Sequence, residues 1–70
     1  MNDSAKTIGK KLRDLRIKNK ETLSEVAEAC GITKSALGNY ETGLRIPRDD
    51  RKIALAKHYN TSVESIFFES

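Results

Sequence analysis

Apolar residues recur along this chain at helical intervals. Ile8, Leu12 and Leu15 follow i, i+4, i+7, the mark of one buried stripe on a helix. That helix is expected to begin at Ala5, with Ser4 or Thr7 as its cap. Further on, Thr22 followed by Glu25 reads as a capping box, so a second helix starts at Leu23. Its apolar positions Leu23, Val26, Ala27 and Cys30 lie on one face, while Ser24, Glu25 and Glu28 face water. Gly31 ends it, because the residue past a helix end often needs a positive φ that glycine takes without a Cβ clash. Ile32 then turns inward and Thr33 caps a third helix starting at Lys34, whose narrow apolar edge is Leu37 and Tyr40. Its other positions, Lys34, Ser35, Gly38 and Asn39, are small or hydrogen-bonding, as suits a face that meets something polar.

A fourth helix is expected from about Asp50 to Tyr59, with Asp49 as its N-cap and Asp50 complementing the positive end of the helix dipole. Ile53, Leu55, Ala56 and Tyr59 would supply its core face. Asn60 and Thr61 form a turn, with asparagine tolerating the left-handed conformation. Ser62 caps a last helix whose Val63, Ile66 and Phe67 close the core, and Phe68, next to Phe67, points elsewhere.

The run Val26-Ala27-Glu28-Ala29-Cys30-Gly31-Ile32-Thr33-Lys34-Ser35-Ala36-Leu37, then Tyr40-Glu41-Thr42-Gly43 and Pro47, resembles the phage-repressor helix-turn-helix family, the group of lambda repressor and Cro. The likeness extends from Ile8 to Phe67, nearly the whole chain. It implies an all-α, five-helix, lambda-repressor-like domain over residues 1–70, with a helix-turn-helix core at 22–43. Small Ala27 would sit where the two helices cross, and Ile32, Leu37 and Tyr40 in their shared core.

The same resemblance assigns roles to individual positions. It places the start of the third helix against base edges in a major groove, with a further contact one turn later. The implied base readers are Lys34, Ser35 and Asn39, with Thr33 adding a contact from the cap. Lys34 can donate to guanine, Asn39 can pair with adenine, and Ser35 can donate or accept with little selectivity. Thr42 and Arg45 match positions that hold DNA phosphates in relatives; Arg48 and the basic first-helix residue Lys10 are further phosphate candidates, as is Arg51. Arg16 and Glu41 match a structural salt bridge that ties the first helix to the end of the third. Leu23 is a departure, since many relatives carry a phosphate-binding glutamine there. Backbone N–H groups at that helix start can also attract phosphate. Leu44 and Ile46 fall in a loop near the dimer contact of relatives, and with Phe68 they are candidates for a dimer or partner interface.

Length and charge narrow the field further. Seventy residues make one domain that buries only about 60% of the surface its unfolded chain exposes, which leaves no room for an enzyme cleft plus a scaffold. The net charge is +3, but residues 1–20 hold seven basic and two acidic side chains, 21–32 three acidic and none basic, and 33–52 five basic and three acidic. Basic charge therefore brackets the helix-turn-helix; a solvated charged face accounts for most such clusters, yet beside a DNA-binding motif a sequence pI near 9.2 points to a nucleic-acid partner. One cysteine excludes an internal disulfide, and no signal peptide or long apolar run is present, so a soluble cytoplasmic setting without membrane contact is expected. Cys30 reads as a small core residue and His58 as solvent-facing, because neither has metal-ligand company. The adjacent carboxylates Asp49 and Asp50 point apart on a helix and imply no acid–base pair. No catalytic residues, metal or cofactor are expected.

Together these readings point to a sequence-specific transcriptional regulator that binds double-stranded DNA as a homodimer. Two alternatives stay open. One is a small protein-binding modulator that engages a repressor, consistent with Leu44, Ile46, Phe68, Leu23 and a third helix with a single basic residue before its exit. The other is the DNA-binding antitoxin of a toxin pair.

Overall fold

The computed structural model describes residues 4–68, and these are helical with connecting turns. The elements are α1 (Ser4–Lys18), α2 (Leu23–Cys30), α3 (Lys34–Thr42), α4 (Asp49–His58) and α5 (Glu64–Phe68), the last a single widened turn of π type. α1 packs most extensively on α3, α2 lies against α3 and α4, and α5 closes over α1. The shared core is Ile8, Leu12, Val26, Ala27, Leu37, Tyr40, Leu55, Ala56, Tyr59, Ile66 and Phe67. Leu12, Val26, Leu37 and Leu55 are completely enclosed, each contributing roughly 1.5–3 kcal/mol by leaving water. Because they come from all of the first four helices, no pair of helices holds the core alone.

Helix ends follow local chemistry. α1 closes with Lys20 in the left-handed region (φ 59°), where Lys20 N–H bonds Ile17 O and Glu21 N–H bonds Arg16 O. Asn60 (φ 55°) closes α4 in the same way, with Thr61 N–H donating to Ala56 O at 2.9 Å. Ser62 Oγ accepts from Ser65 N–H and caps α5.

Several expectations are corrected. α1 begins at Ser4, one residue before Ala5, so Thr7 lies inside the helix and is not its cap; the cap expected of the Ser4 side chain lies outside the described residues. α4 begins at Asp49, and its N-cap is Arg48, which makes no side-chain cap bond. Both aspartates thus fall in the first turn, where they complement the helix dipole. Ile53 is 57% exposed, not in the core: residues two apart on a helix are rotated by about 200°, so Leu55 turning inward turns Ile53 outward. His58 is half-buried, and its Nε2 lies 3.0 and 3.1 Å from the two carboxylate oxygens of Glu21. That contact joins the end of α4 to the α1–α2 turn.

Candidate nucleic-acid interface

The unit formed by α2, its turn and α3 is built from reciprocal caps. Thr22 Oγ accepts from Glu25 N–H at 3.1 Å, and the Glu25 carboxylate accepts from Thr22 N–H at 2.8 Å. Gly31 takes φ 72° and ends α2, and Ile32 N–H returns to Ala27 O. Thr33 Oγ then accepts from Ala36 N–H at 3.0 Å. Ala27, only 3% exposed, leaves space for the two helices to cross. Since the Thr22 and Glu25 N–H groups are already bonded and a carboxylate occupies this end, the start of α2 offers an anion only what is left.

α3 is locked along its inner edge and at its exit. Leu37 and Tyr40 are buried. Arg16 grips Glu41 through two parallel bonds, Nε to Oε2 at 2.8 Å and Nη2 to Oε1 at 3.0 Å, and its Nη1 donates to Glu21 O. These side chains are 16% and 5% exposed, so the pair is largely shielded from water. The Glu41 hydrogen bond raises the Arg16 pKa further and outweighs the effect of burial. Arg51 Nη1 donates to the Tyr40 hydroxyl at 2.8 Å, and this bond likewise raises the Arg51 pKa. Gly43 (φ 84°) then ends the helix.

The outer face of α3 is different. Lys34 and Ser35 are exposed and Asn39 is half-buried, and among the described residues none of their side chains is committed to an internal hydrogen bond. Ser35 and Asn39 are one turn apart and so neighbours on the helix surface. Thr33 is exposed beside them, its oxygen engaged in the cap and its hydroxyl proton still available to donate.

A helix-turn-helix family model matches residues 12–66. The chain belongs to this helix-turn-helix family. It is similar to the uncharacterized HTH-type transcriptional regulator YobD of Bacillus subtilis (strain 168), with 41% identity over 56 residues, covering 80% of this chain and 50% of that protein. The chain thus spans about half the length of the curated relative it matches. No solved structure matches it.

Around this helix-turn-helix the candidate phosphate residues are dispersed. Arg45 and Arg48 are exposed on the loop after α3, and among the described residues their side chains make no internal hydrogen bond, while their backbones bond Asn39 O and Lys52 N–H. Thr42 turns its hydroxyl back to donate to Gly38 O at 3.0 Å, so it must rotate to reach a phosphate. Lys10 is exposed on α1 and paired with Asp14 at 3.3 Å. Arg51 commits one of its guanidinium nitrogens to Tyr40 and keeps the others for a phosphate. Leu44 and Ile46 are 75% and 48% exposed on the loop, and Phe68 is 65% exposed on α5.

Three contacts escaped the sequence reading. The Arg51 bond to Tyr40 and the Glu21 bond to His58 join residues distant along the chain, and no local pattern announces either. Gly9 marks a close approach of α1 to α3, where a Cβ would lie 2.4 Å from Glu41 O. A glycine inside an otherwise regular helical stripe was the available signal. Among the described residues no group of acidic, histidine or cysteine side chains is arranged to hold a metal, and no helix is long and apolar enough to cross a membrane. Cys30 is half-buried against the core, and burial, then the Glu21 charge, push its thiol pKa up.

Proposed function

We propose that this chain is a DNA-binding transcriptional regulator that inserts α3 into the major groove and occupies its operator as a homodimer in the cytoplasm. The observation that carries the reading is the division of α3: its inner edge and exit are fixed by core contacts and by bonds from two arginines, while the side chains of Lys34, Ser35 and Asn39 stay unengaged outside. A helix held this way presents donors and acceptors in a fixed register, which is what reading base edges requires. In this reading Lys34 donates to guanine, Asn39 bonds adenine, Ser35 and Thr33 add adjustable contacts, and Arg45, Arg48, Lys10 and Thr42 hold phosphates. Membership of the helix-turn-helix family and the printed description of the relative as a transcriptional regulator support it. The helix-turn-helix supplies one reading helix, and successive major-groove half-sites lie about 34 Å apart, so a second copy would supply the second helix. No catalytic role enters this scheme.

The test is titration of the purified chain into duplex DNA from around its own gene, at two salt concentrations and against scrambled competitor. Tight, competitor-resistant binding that weakens with salt is expected. Binding that the competitor removes would reject the reading. It would favour the modulator of a repressor, for which the exposed Leu44, Ile46 and Phe68 supply an apolar contact surface. Such a modulator needs its partner to act at DNA, whereas the regulator binds alone.

A further inference from the structure

Three arginines follow α3 at intervals of three, Arg45, Arg48 and Arg51. Among the described residues only the last is held by a side-chain bond: Arg51 is half-buried, and its Nη1 donates to the Tyr40 hydroxyl at 2.8 Å. Both ends of that bond are anchored. The Tyr40 ring is 4% exposed in the core, and the backbone leading to Arg51 is fixed by buried Pro47 and by Lys52 N–H donating to Arg48 O at 2.8 Å. The two bonded arginines of the domain differ in what holds them. Arg16 is neutralised by the Glu41 carboxylate, whereas Arg51 is bonded to a neutral hydroxyl, and Asp50 beside it acts by charge alone and less strongly than that bond. A guanidinium is a planar fork of five N–H donors, so one bond to a hydroxyl leaves the rest of the fork, and its charge, for an anion.

We propose that Tyr40 is a positioning residue for DNA binding: its hydroxyl aims Arg51 at a backbone phosphate and ties that phosphate to α3 itself. A mobile arginine gives up rotamer freedom when a ligand immobilises it; Arg51 has given it up on folding, while the unengaged side chains of Arg45 and Arg48 have not. Phosphate contacts set register without carrying sequence. Tyr40 directly follows Asn39 in α3, so a phosphate gripped through Tyr40 fixes where that base reader stands along the groove. The proposal rests on the DNA reading above and deepens it by naming the group that orients one contact.

A double-mutant cycle on the full chain tests it, with affinity for duplex from around its own gene and for scrambled duplex measured across a salt series. Arg51→Ala should reduce the slope of log affinity against log salt by about one unit. Tyr40→Phe keeps the ring and the charge, so it should leave that slope intact and weaken both duplexes about two- to tenfold. In the Arg51→Ala background the same change should weaken binding no further, because the hydroxyl acts only through the guanidinium. Arg51→Lys, which keeps the charge without the planar fork, should behave as Tyr40→Phe does. Melting curves of each variant separate these effects from loss of the fold, since a bond that served the fold alone would lower Tm and leave the salt slope untouched. A wild-type slope in Arg51→Ala, or a Tyr40→Phe loss that persists undiminished without Arg51, would overturn the proposal while specific binding by the wild-type chain kept the DNA reading standing. A wild-type chain that does not prefer its own duplex over the scrambled one would remove both.

Discussion

One substitution, glycine to alanine, should act with opposite signs at two places in the most extensively packed pair of helices, α1 and α3. At Gly9 the added methyl would lie 2.4 Å from Glu41 O and 2.6 Å from Tyr40 O. Both are backbone atoms at the exit of α3, so no side chain can swing aside. Carbon–oxygen contact needs about 3.3 Å, so the helices must separate by roughly 0.9 Å there. Overpacking of this kind costs about 1–3 kcal/mol or more, and the better helix propensity of alanine returns only about 1 kcal/mol. Because the separation also strains the Arg16–Glu41 bonds beside it, a net loss of about 2 kcal/mol is expected, or roughly 8–16 °C in Tm for a domain of this size. At Gly38, in contrast, the methyl meets nothing within 4 Å. Only the propensity gain is left, about 1 kcal/mol or roughly 4–8 °C upward. Thermal and urea unfolding of both variants, followed by far-ultraviolet circular dichroism, measures the pair. Wild-type stability in Gly9→Ala, or lower stability in Gly38→Ala, would refute the steric reasoning. DNA affinity of the stabilised Gly38→Ala protein then reports separately on how closely α3 approaches the duplex.

Other substitutions address the clamp, the core and the proposed interface. Glu41→Gln should lower stability by about 3 kcal/mol, since it leaves the Arg16 charge shielded without its partner; a melt no lower than that of an exposed Glu28→Gln control would remove the clamp from the stability account. The Tyr59 hydroxyl is buried without a hydrogen bond, and burial, then the charges of Glu41 and Glu21, push its pKa well above the ordinary phenol value. A folded-state pKa raised above the unfolded one means stability that is complete below pH about 10 and declines as pH rises beyond it. Tyr59→Phe should therefore match or exceed wild-type stability at neutral pH and show a shallower alkaline loss in melts run across that range, and an unchanged alkaline slope would count against it. Asn39→Ala should weaken binding at one operator position by about 1–3 kcal/mol while sparing nonspecific affinity, and a uniform loss across sequences would make Asn39 a phosphate contact. Arg45→Ala should reduce the slope of log affinity against log salt by about one unit, and an unaltered slope would place Arg45 off the DNA.

What could be read in advance was what is local. The capping box at Thr22 and Glu25, the left-handed Gly31 and the Thr33 cap each depend on residues within one turn of each other, so the sequence contains the whole cause. Ile53 was also open to a local argument, because helical rotation sets it opposite Leu55, but its apolar character alone drew it inward. Asp49 was misplaced by one position because a good capping residue precedes an acidic one, and local preference does not decide which takes the cap. His58 and Arg51 lay beyond such reasoning, since their partners are supplied from elsewhere in the chain; Gly9 left the signal of a glycine within a helical stripe, but the backbone it approaches belongs to α3. The Arg16–Glu41 pairing was suggested by family resemblance and not by spacing. On the outer face of α3 the sequence could name polar side chains, but only the packing distinguishes Lys34, Ser35 and Asn39, unengaged, from Thr42, which bonds its own helix.

That distinction bears on how so short a helix could serve the recognition proposed for it. α3 has nine residues, fewer than the roughly 12–15 at which an isolated helix is even marginally stable, and Gly38 weakens it further. Its order must come from outside: the Thr33 cap, Leu37 and Tyr40 in the core, Glu41 in the grip of Arg16, Tyr40 under Arg51 and Gly43 at the exit. Every one of these attachments lies on the inner edge or at an end. None uses the side chains of Lys34, Ser35 or Asn39, although the Asn39 carbonyl accepts the bonds that close the exit, so those side chains can change without disturbing what holds the helix. In the proposed function, fold and selectivity would thereby be carried by different side chains of the same nine residues. Exchanging the outer residues should accordingly alter which DNA is preferred while melting behaviour stays constant, whereas exchanging Arg16, Glu41 or Gly9 should lower affinity for all sequences together by loosening the helix that presents the readers.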